Sequence, residues 1–244
     1  MTSAASDSPE RLVEFAMVEL SADGFRREYD DLRRDVGRDR VPAGRIFALA
    51  KRFIAAEVAQ IEDLLEDPRH DVRVGAVSIM DFEARGRRTS PERRRDLYQL
   101  YLRRHDRIDN WDLVDRAAPH VVGGYLYDKP REPLYRLAAS PSQWERRTSI
   151  VSTWYFIRLG DVDDTFRLGA VLAHDPADLV QKAVGGWIRE AGKRDPAQLI
   201  CYLDQFAATM PRTALRYAIE KLDPPTRQHY LKLKSTAGHG EQSS

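Results

Sequence analysis

The chain has 244 residues, 42% apolar and 32% charged, enough for a sizeable hydrophobic core and far from the composition of a disordered tail. Its 39 Lys+Arg against 38 Asp+Glu leave a formal net charge of +1, so any nucleic-acid or membrane partner must be met by a local patch rather than by bulk charge. The single cysteine, Cys201, excludes an intrachain disulfide framework and a cysteine-based zinc cluster, and suits a reducing compartment.

In chain order, the opening MTSAASDSPE lacks a basic start followed by an apolar run, and no stretch approaches the roughly 18 apolar residues of a membrane span. A soluble, cytoplasmic protein is expected. Apolar residues then recur at spacings of three and four, as in Ile46, Leu49, Ala50, Phe53 and Ile54 and again in Val180, Ala183, Val184, Trp187 and Ile188. Between these stretches stand Asp67-Pro68, Ser90-Pro91, Ser140-Pro141, Asp175-Pro176, Asp195-Pro196, Met210-Pro211 and Asp223-Pro224. A Ser or Asp cap with Pro in the first turn starts a helix well, because the cap accepts from free backbone N–H groups and Pro needs no acceptor. The chain is predicted to be all-α.

Pro141, Pro176 and Pro211 are spaced by 35 residues, and Pro68 precedes Pro141 by 73, about twice that. Each is followed by an amphipathic stretch. The period fits stacked helix pairs, and because the Trp…Leu-Gly…Tyr pattern of tetratricopeptide arrays is missing, a HEAT-like solenoid (an α-α superhelix) with one concave face is expected. The predicted organisation is a single repeat domain over 1–234 and a polar, disordered tail over 235–244. Cys201, in the apolar stretch LICYLDQF, is expected to be buried.

Charge is uneven along this array. Residues 1–84 hold 12 basic and 18 acidic side chains, residues 85–158 hold 16 and 9, and residues 159–244 hold 11 of each. The middle third is a basic block led by Arg85, Arg87, Arg88, Arg93, Arg94 and Arg95, which reads either as a dock for a polyanion or as a solvated helix face. At its end, Asp109-Asn110-Trp111-Asp112-Leu113-Val114-Asp115 opens a helix with Asp109 or Asn110 as cap. Trp111 and Asp115, four apart, share a face. They are either a core tryptophan beside a salt-bridged carboxylate or part of a cleft. Trp144-Glu145-Arg146-Arg147 and Gln181-Lys182-Ala183-Val184-Gly185-Gly186-Trp187 are two further aromatic-plus-cation groups. The six histidines show no HExxH or paired metal spacing, and no GxGxxG or P-loop pattern occurs.

Several stretches resemble the bacterial DNA alkylation repair glycosylases of the AlkD type, built of HEAT-like repeats: NWDLVD (110–115), the run over 125–161 that contains SPSQWERRTSIVSTWYF, QKAVG followed by REAGKRD (181–195), and MPRTALRYAIE (210–220). HDVRVGAVSIM (70–80) and VPAGRIFALAKRF (41–53) are similar to the family's earlier repeats, and the likeness runs collinearly over residues 10–233. The resemblance implies a cofactor-free monomer that removes cationic N3- or N7-alkylated purines from double-stranded DNA, with a concave face gripping the backbone while the lesion stays in the duplex. Carried over by position, the active-site tryptophan falls on Trp111, the catalytic aspartate on Asp115 and a backbone-contacting arginine on Arg147; Arg146, Lys182 and Trp187, from the two other aromatic-plus-cation groups, are expected as further DNA contacts where their helices line the concave face.

The second aromatic of the family departs from its place: Gly186 stands there and Trp187 follows one residue later. One residue is about 100° of helix, and the stripe of Val180, Ala183, Val184, Trp187 and Ile188 favours a Trp187 turned into the interior, which leaves the site wider on that side; a helix bent at Gly185-Gly186, bringing the indole back into the cleft, is the alternative. A non-catalytic module that recognises DNA structure, and a protein scaffold using the concave face, are the alternative functions.

Overall fold

The chain folds as helices joined by short turns, in a computed structural model that describes residues 20–37 and 40–233; among them there is no strand. The proposed 235–244 tail lies outside the described residues. Two compact units form, Met1–Ile108 and Asp109–Ser244.

The first unit contains α1 (Ala22–Val36), α2 (Ala43–Arg52), α3 (Val58–Leu65), α4 (His70–Ala84) and α5 (Pro91–Arg103). Ser21 caps α1 by accepting from the Gly24 N–H, and Gly37 closes it in the left-handed conformation at φ 60°. Helix α4 is the centre, with α2, α3 and α5 packed on it. Phe25 meets Phe53 edge-on at 5.2 Å, over a core of Ile46, Ile61, Leu64, Ile79, Met80 and Leu97.

The second unit contains α6 (Trp111–Ala117), a π-helical turn (Ala118–Gly123), α7 (Gly124–Leu126), α8 (Glu132–Ala138), α9 (Gln143–Ser152), α10 (Trp154–Arg158), α11 (Asp163–Val171), α12 (Asp178–Gly192), α13 (Pro196–Phe206), α14 (Arg212–Ala218) and α15 (Pro224–Lys232). Helices α6, α9, α12 and α14 lie side by side in that order, with α8 backing α9 and α11 and α13 backing α12. This is the helix-pair stacking that the 35-residue period predicts. Two glycines allow close approach: a Cβ on Gly123 would sit 2.1 Å from the Ser152 carbonyl oxygen, and one on Gly185 would sit 2.3 Å from that of Ala214.

The period has a physical cause. Before each of three repeat helices, the residue preceding Pro accepts the backbone N–H two residues on: Asp67 from Arg69 (2.9 Å), Ser140 from Ser142 (3.0 Å) and Asp175 from Ala177 (2.9 Å). Five residues after each Pro a long polar side chain reaches back to the carbonyl before it, Arg73 to Asp67 (3.2 Å), Arg146 to Ser140 (3.0 Å) and Gln181 to Asp175 (2.9 Å). These prolines therefore lie in the turn, and the helices begin two residues later than cap-plus-proline reasoning predicts, at His70, Gln143 and Asp178. Ser90, Asp195 and Asp223 do cap directly, accepting from Arg93, Gln198 and Thr226.

Buried carboxylates hold the turns together. Burial alone would raise the Asp67 carboxyl, but the Arg69 side chain and N–H and the Arg26 guanidinium hold it down to about 2. Cys201 is exposed rather than buried, because α13 turns Leu199, Tyr202 and Leu203 inward and leaves Cys201 on its other side.

Candidate active site

Asn110 caps α6, its side chain accepting the Trp111 N–H at 2.7 Å. This sets Trp111 at the first helical position, half exposed at 50%, with Asp115 one turn on along the same face. Arg147 reaches Asp115 from α9 as a fork: Nε donates to Oδ1 at 2.9 Å and Nη2 to Oδ2 at 2.8 Å, while Nη1 donates to the Leu179 carbonyl in the first turn of α12. One guanidinium thus ties three helices together and fixes the direction of the carboxylate. The arginine is only 7% exposed, whereas the Asp115 side chain keeps 36% of its surface open. Arg147 is thus largely buried behind Asp115 and borders the cleft with the little surface it keeps.

Asp115 opens into a cleft of about 780 Å³. Trp111 stands on the α6 side, Trp154, Ile157 and Arg158 on α10, Lys182, Ala183, Gly186, Trp187, Arg189 and Glu190 on α12, Lys193 and Arg194 just beyond it, and Tyr217 on α14. Six cations and two carboxylates line it, and Asp178 and Glu220 pair with Lys182 and Arg189 from outside the lining, which leaves a net positive charge on the cleft.

The prediction that Trp187 turns wholly inward fails. Val180, Val184, Ile188 and Ala191 are buried on α12, but Trp187 is half-buried and lines the same cleft as Trp111 and Asp115. Helix α12 runs unbroken through Gly185-Gly186. Trp187 stands at the border of the apolar arc and lines the cleft together with Ala183, Gly186 and Glu190 of the same helix. At Gly186 a Cβ would meet nothing within 4 Å, so the position of the family's aromatic is open space beside that wall.

The other expected residues divide. Lys182 lines the cleft and pairs with Asp178 at 2.7 Å. Arg146 does not line it: Nε and Nη2 hold Asp175 at 2.6 and 3.1 Å and Nη1 holds the Ser140 and Pro141 carbonyls, so the side chain is a turn clamp. Trp144 does not line the cleft either, whereas Trp154, which sequence reasoning passed over, does. Trp154 follows Arg147 by seven residues, the two-turn spacing that puts both on one face. His120, from the π-helical turn, meets Trp154 edge-on at 5.0 Å, and the Arg158 guanidinium lies over the indole at 4.7 Å. Among the described residues no group of His, Cys, Asp and Glu is placed to hold a metal ion, and no helix is long and apolar enough to cross a membrane.

The cleft thus brings together a clamped carboxylate, the indoles of Trp111, Trp154 and Trp187, and six cations on one repeated helical stack. The chain matches the DNA alkylation repair enzyme family over residues 41–222 and belongs to it. No curated protein matches the chain. Family membership supports a role in the repair of alkylated DNA.

Proposed function

We propose that the protein is an N-glycosylase of the AlkD type that hydrolyses the bond between deoxyribose and a purine alkylated at N3 or N7, acting as a cytoplasmic monomer on duplex DNA without flipping the base out. The observation that carries this reading is the Asp115 carboxylate, fixed by the Arg147 fork and open to a cleft walled by Trp111 and Trp187.

Such a purine is already cationic, so its C1′–N bond breaks with the electron pair leaving on the base and no general acid is needed. Positive charge develops on the deoxyribose as that bond lengthens. A rigid carboxylate facing it stabilises this charge and orients the water that adds at C1′. Indole faces favour a cationic nucleoside over a neutral one by about 0.5–2 kcal/mol. The Arg147 clamp matters because an oriented charge acts without reorganising during the reaction.

The test is release of free base from methylated duplex DNA. Wild-type protein releases 3- and 7-methylpurines; Asp115→Asn abolishes release and keeps or slightly raises DNA affinity, since a negative charge near the phosphates is gone. Tight duplex binding with no release by the wild type would replace this reading with the non-catalytic DNA-structure binder.

A further inference from the structure

The cations that line the cleft are of two kinds. Lys182 pairs with Asp178, Arg189 with Glu190 and Glu220, Lys193 with Glu190, and Arg147 with Asp115. Among the described residues, Arg158 and Arg194 have no carboxylate or carbonyl partner for their side chains, although both line the cleft. Arg158 is nonetheless oriented. Its guanidinium lies over the Trp154 ring at 4.7 Å, and Trp154 meets His120 edge-on at 5.0 Å. A cation held over a ring face uses no N–H donor in a hydrogen bond, so the guanidinium keeps its donors for a ligand. The result is an exposed donor fork whose direction is set before a ligand arrives, which lowers the ordering cost of binding.

We propose that Arg158, held over Trp154 in its edge-on pair with His120, and Arg194 form a seat for a DNA phosphodiester, separate from the residues around Asp115. Forked N–H donors match the paired oxygens of a phosphate, and guanidinium is the side chain that reads them two at a time. Arg147 meets the first turn of α12 at Leu179, and Arg194 follows the end of that helix at Gly192. About 20 Å of helix separates them, a few phosphates along one strand. The seat anchors the strand away from the lesion and leaves the deoxyribose opposite Asp115. This inference rests on the reading of the cleft as a DNA site.

The test is duplex binding by fluorescence anisotropy over a salt series, with an undamaged 20-base-pair duplex, inorganic phosphate as competitor and thermal melts as folding control. Arg158→Gln and Arg194→Gln should each weaken binding roughly 3–10-fold at 150 mM salt and lower the salt slope by about one, whatever the sequence of the duplex. Trp154→Leu, with Arg158 intact, should weaken binding while keeping the slope, because the charge remains and its aim is lost. Phosphate at millimolar concentration should compete poorly, since one anion lacks the strand's other contacts; full displacement by millimolar phosphate would mark a site for free phosphate instead and overturn the proposal. If the folded Arg158→Gln/Arg194→Gln protein binds with wild-type affinity and slope, the seat is overturned while the glycosylase reading stands. A wild-type protein that does not bind duplex DNA overturns both.

Discussion

Two arginine-rich regions of this protein look alike in sequence and differ in what their charges do. Residues 85–107 hold nine arginines, the densest basic run of the chain. Six are taken up by the first unit itself. Arg85 pairs with Asp81, Arg93 holds Glu83 and the Ala56 carbonyl, and Arg94 holds the Ala84, Gly86 and Thr89 carbonyls. Arg103 pairs with Glu62, Arg104 with Glu62, Glu66 and Asp106, and Arg107 with Glu66 and the Leu65 carbonyl. Among the described residues only Arg87, Arg88 and Arg95 of this run have no such partner.

In the second unit the cleft is lined by six cations, of which Arg147, Lys182, Arg189 and Lys193 are paired with carboxylates as well, but the two left over, Arg158 and Arg194, face one shared cavity. The excess acid of residues 1–84 thus finds its counterpart in the basic block, which explains both the run and its limited use as a dock. Counting charges measures supply; packing decides what is left for a partner.

The largest expected effect lies at the buried arginine of the cleft. Arg147→Lys replaces a fork by a single donor and frees the Asp115 carboxylate to rotate, so base excision should fall roughly 10²–10³-fold, with DNA affinity changed less than threefold because Arg147 is beneath the surface. Single-turnover excision and anisotropy measured side by side check it. A large loss of affinity with normal excision would restore the expected phosphate contact.

Next come the two adjacent glycines of α12. Gly185→Ala drives a Cβ against the Ala214 carbonyl and should cost about 2–4 kcal/mol in denaturant unfolding. Gly186→Ala, facing open cleft, should stay within about 0.5 kcal/mol of wild type. Gly186→Trp fills the space beside Trp187; it should leave the melting temperature near wild type and slow release of bulky adducts more than of methylpurines.

In the first unit the carboxyl of Asp67 sits at about 2 when folded, below its unfolded value near 4. Its stabilisation, about 2 kcal/mol, is therefore complete above pH 4 and is lost as the pH falls from 4 towards 2. Asp67→Asn should flatten that part of the acid unfolding curve, measured by circular dichroism between pH 2 and 5. An unchanged curve would show that the Arg69 and Arg26 contacts add nothing to stability.

The smallest contrast separates neighbouring arginines of the basic run. Arg94→Ala strips three carbonyls of their donor and should cost about 1–3 kcal/mol, whereas Arg95→Ala should cost less than about 0.5 kcal/mol. Equal losses in urea unfolding would show that the run is a uniform solvated face, the bland alternative its composition leaves open.

The sequence by itself determined the all-helical fold, the repeat period and the Trp111–Asp115 face, because these follow from local rules: apolar spacing, proline turns and the fixed rise of a helix. It also carried the family likeness that put Asp115 and Arg147 in one site. Only the tertiary structure decided which way Arg147 faces, that Arg146 clamps a turn, that Trp154 rather than Trp144 walls the cleft, and that Trp187 spills into it. Each depends on partners about 30 residues away or on a neighbouring helix: Asp115 is 32 residues from Arg147, and Asp175 is 29 from Arg146. A helical period fixes a residue's direction to within an arc, and at the edge of that arc, where Trp187 stands, packing settles whether a side chain is core or cleft.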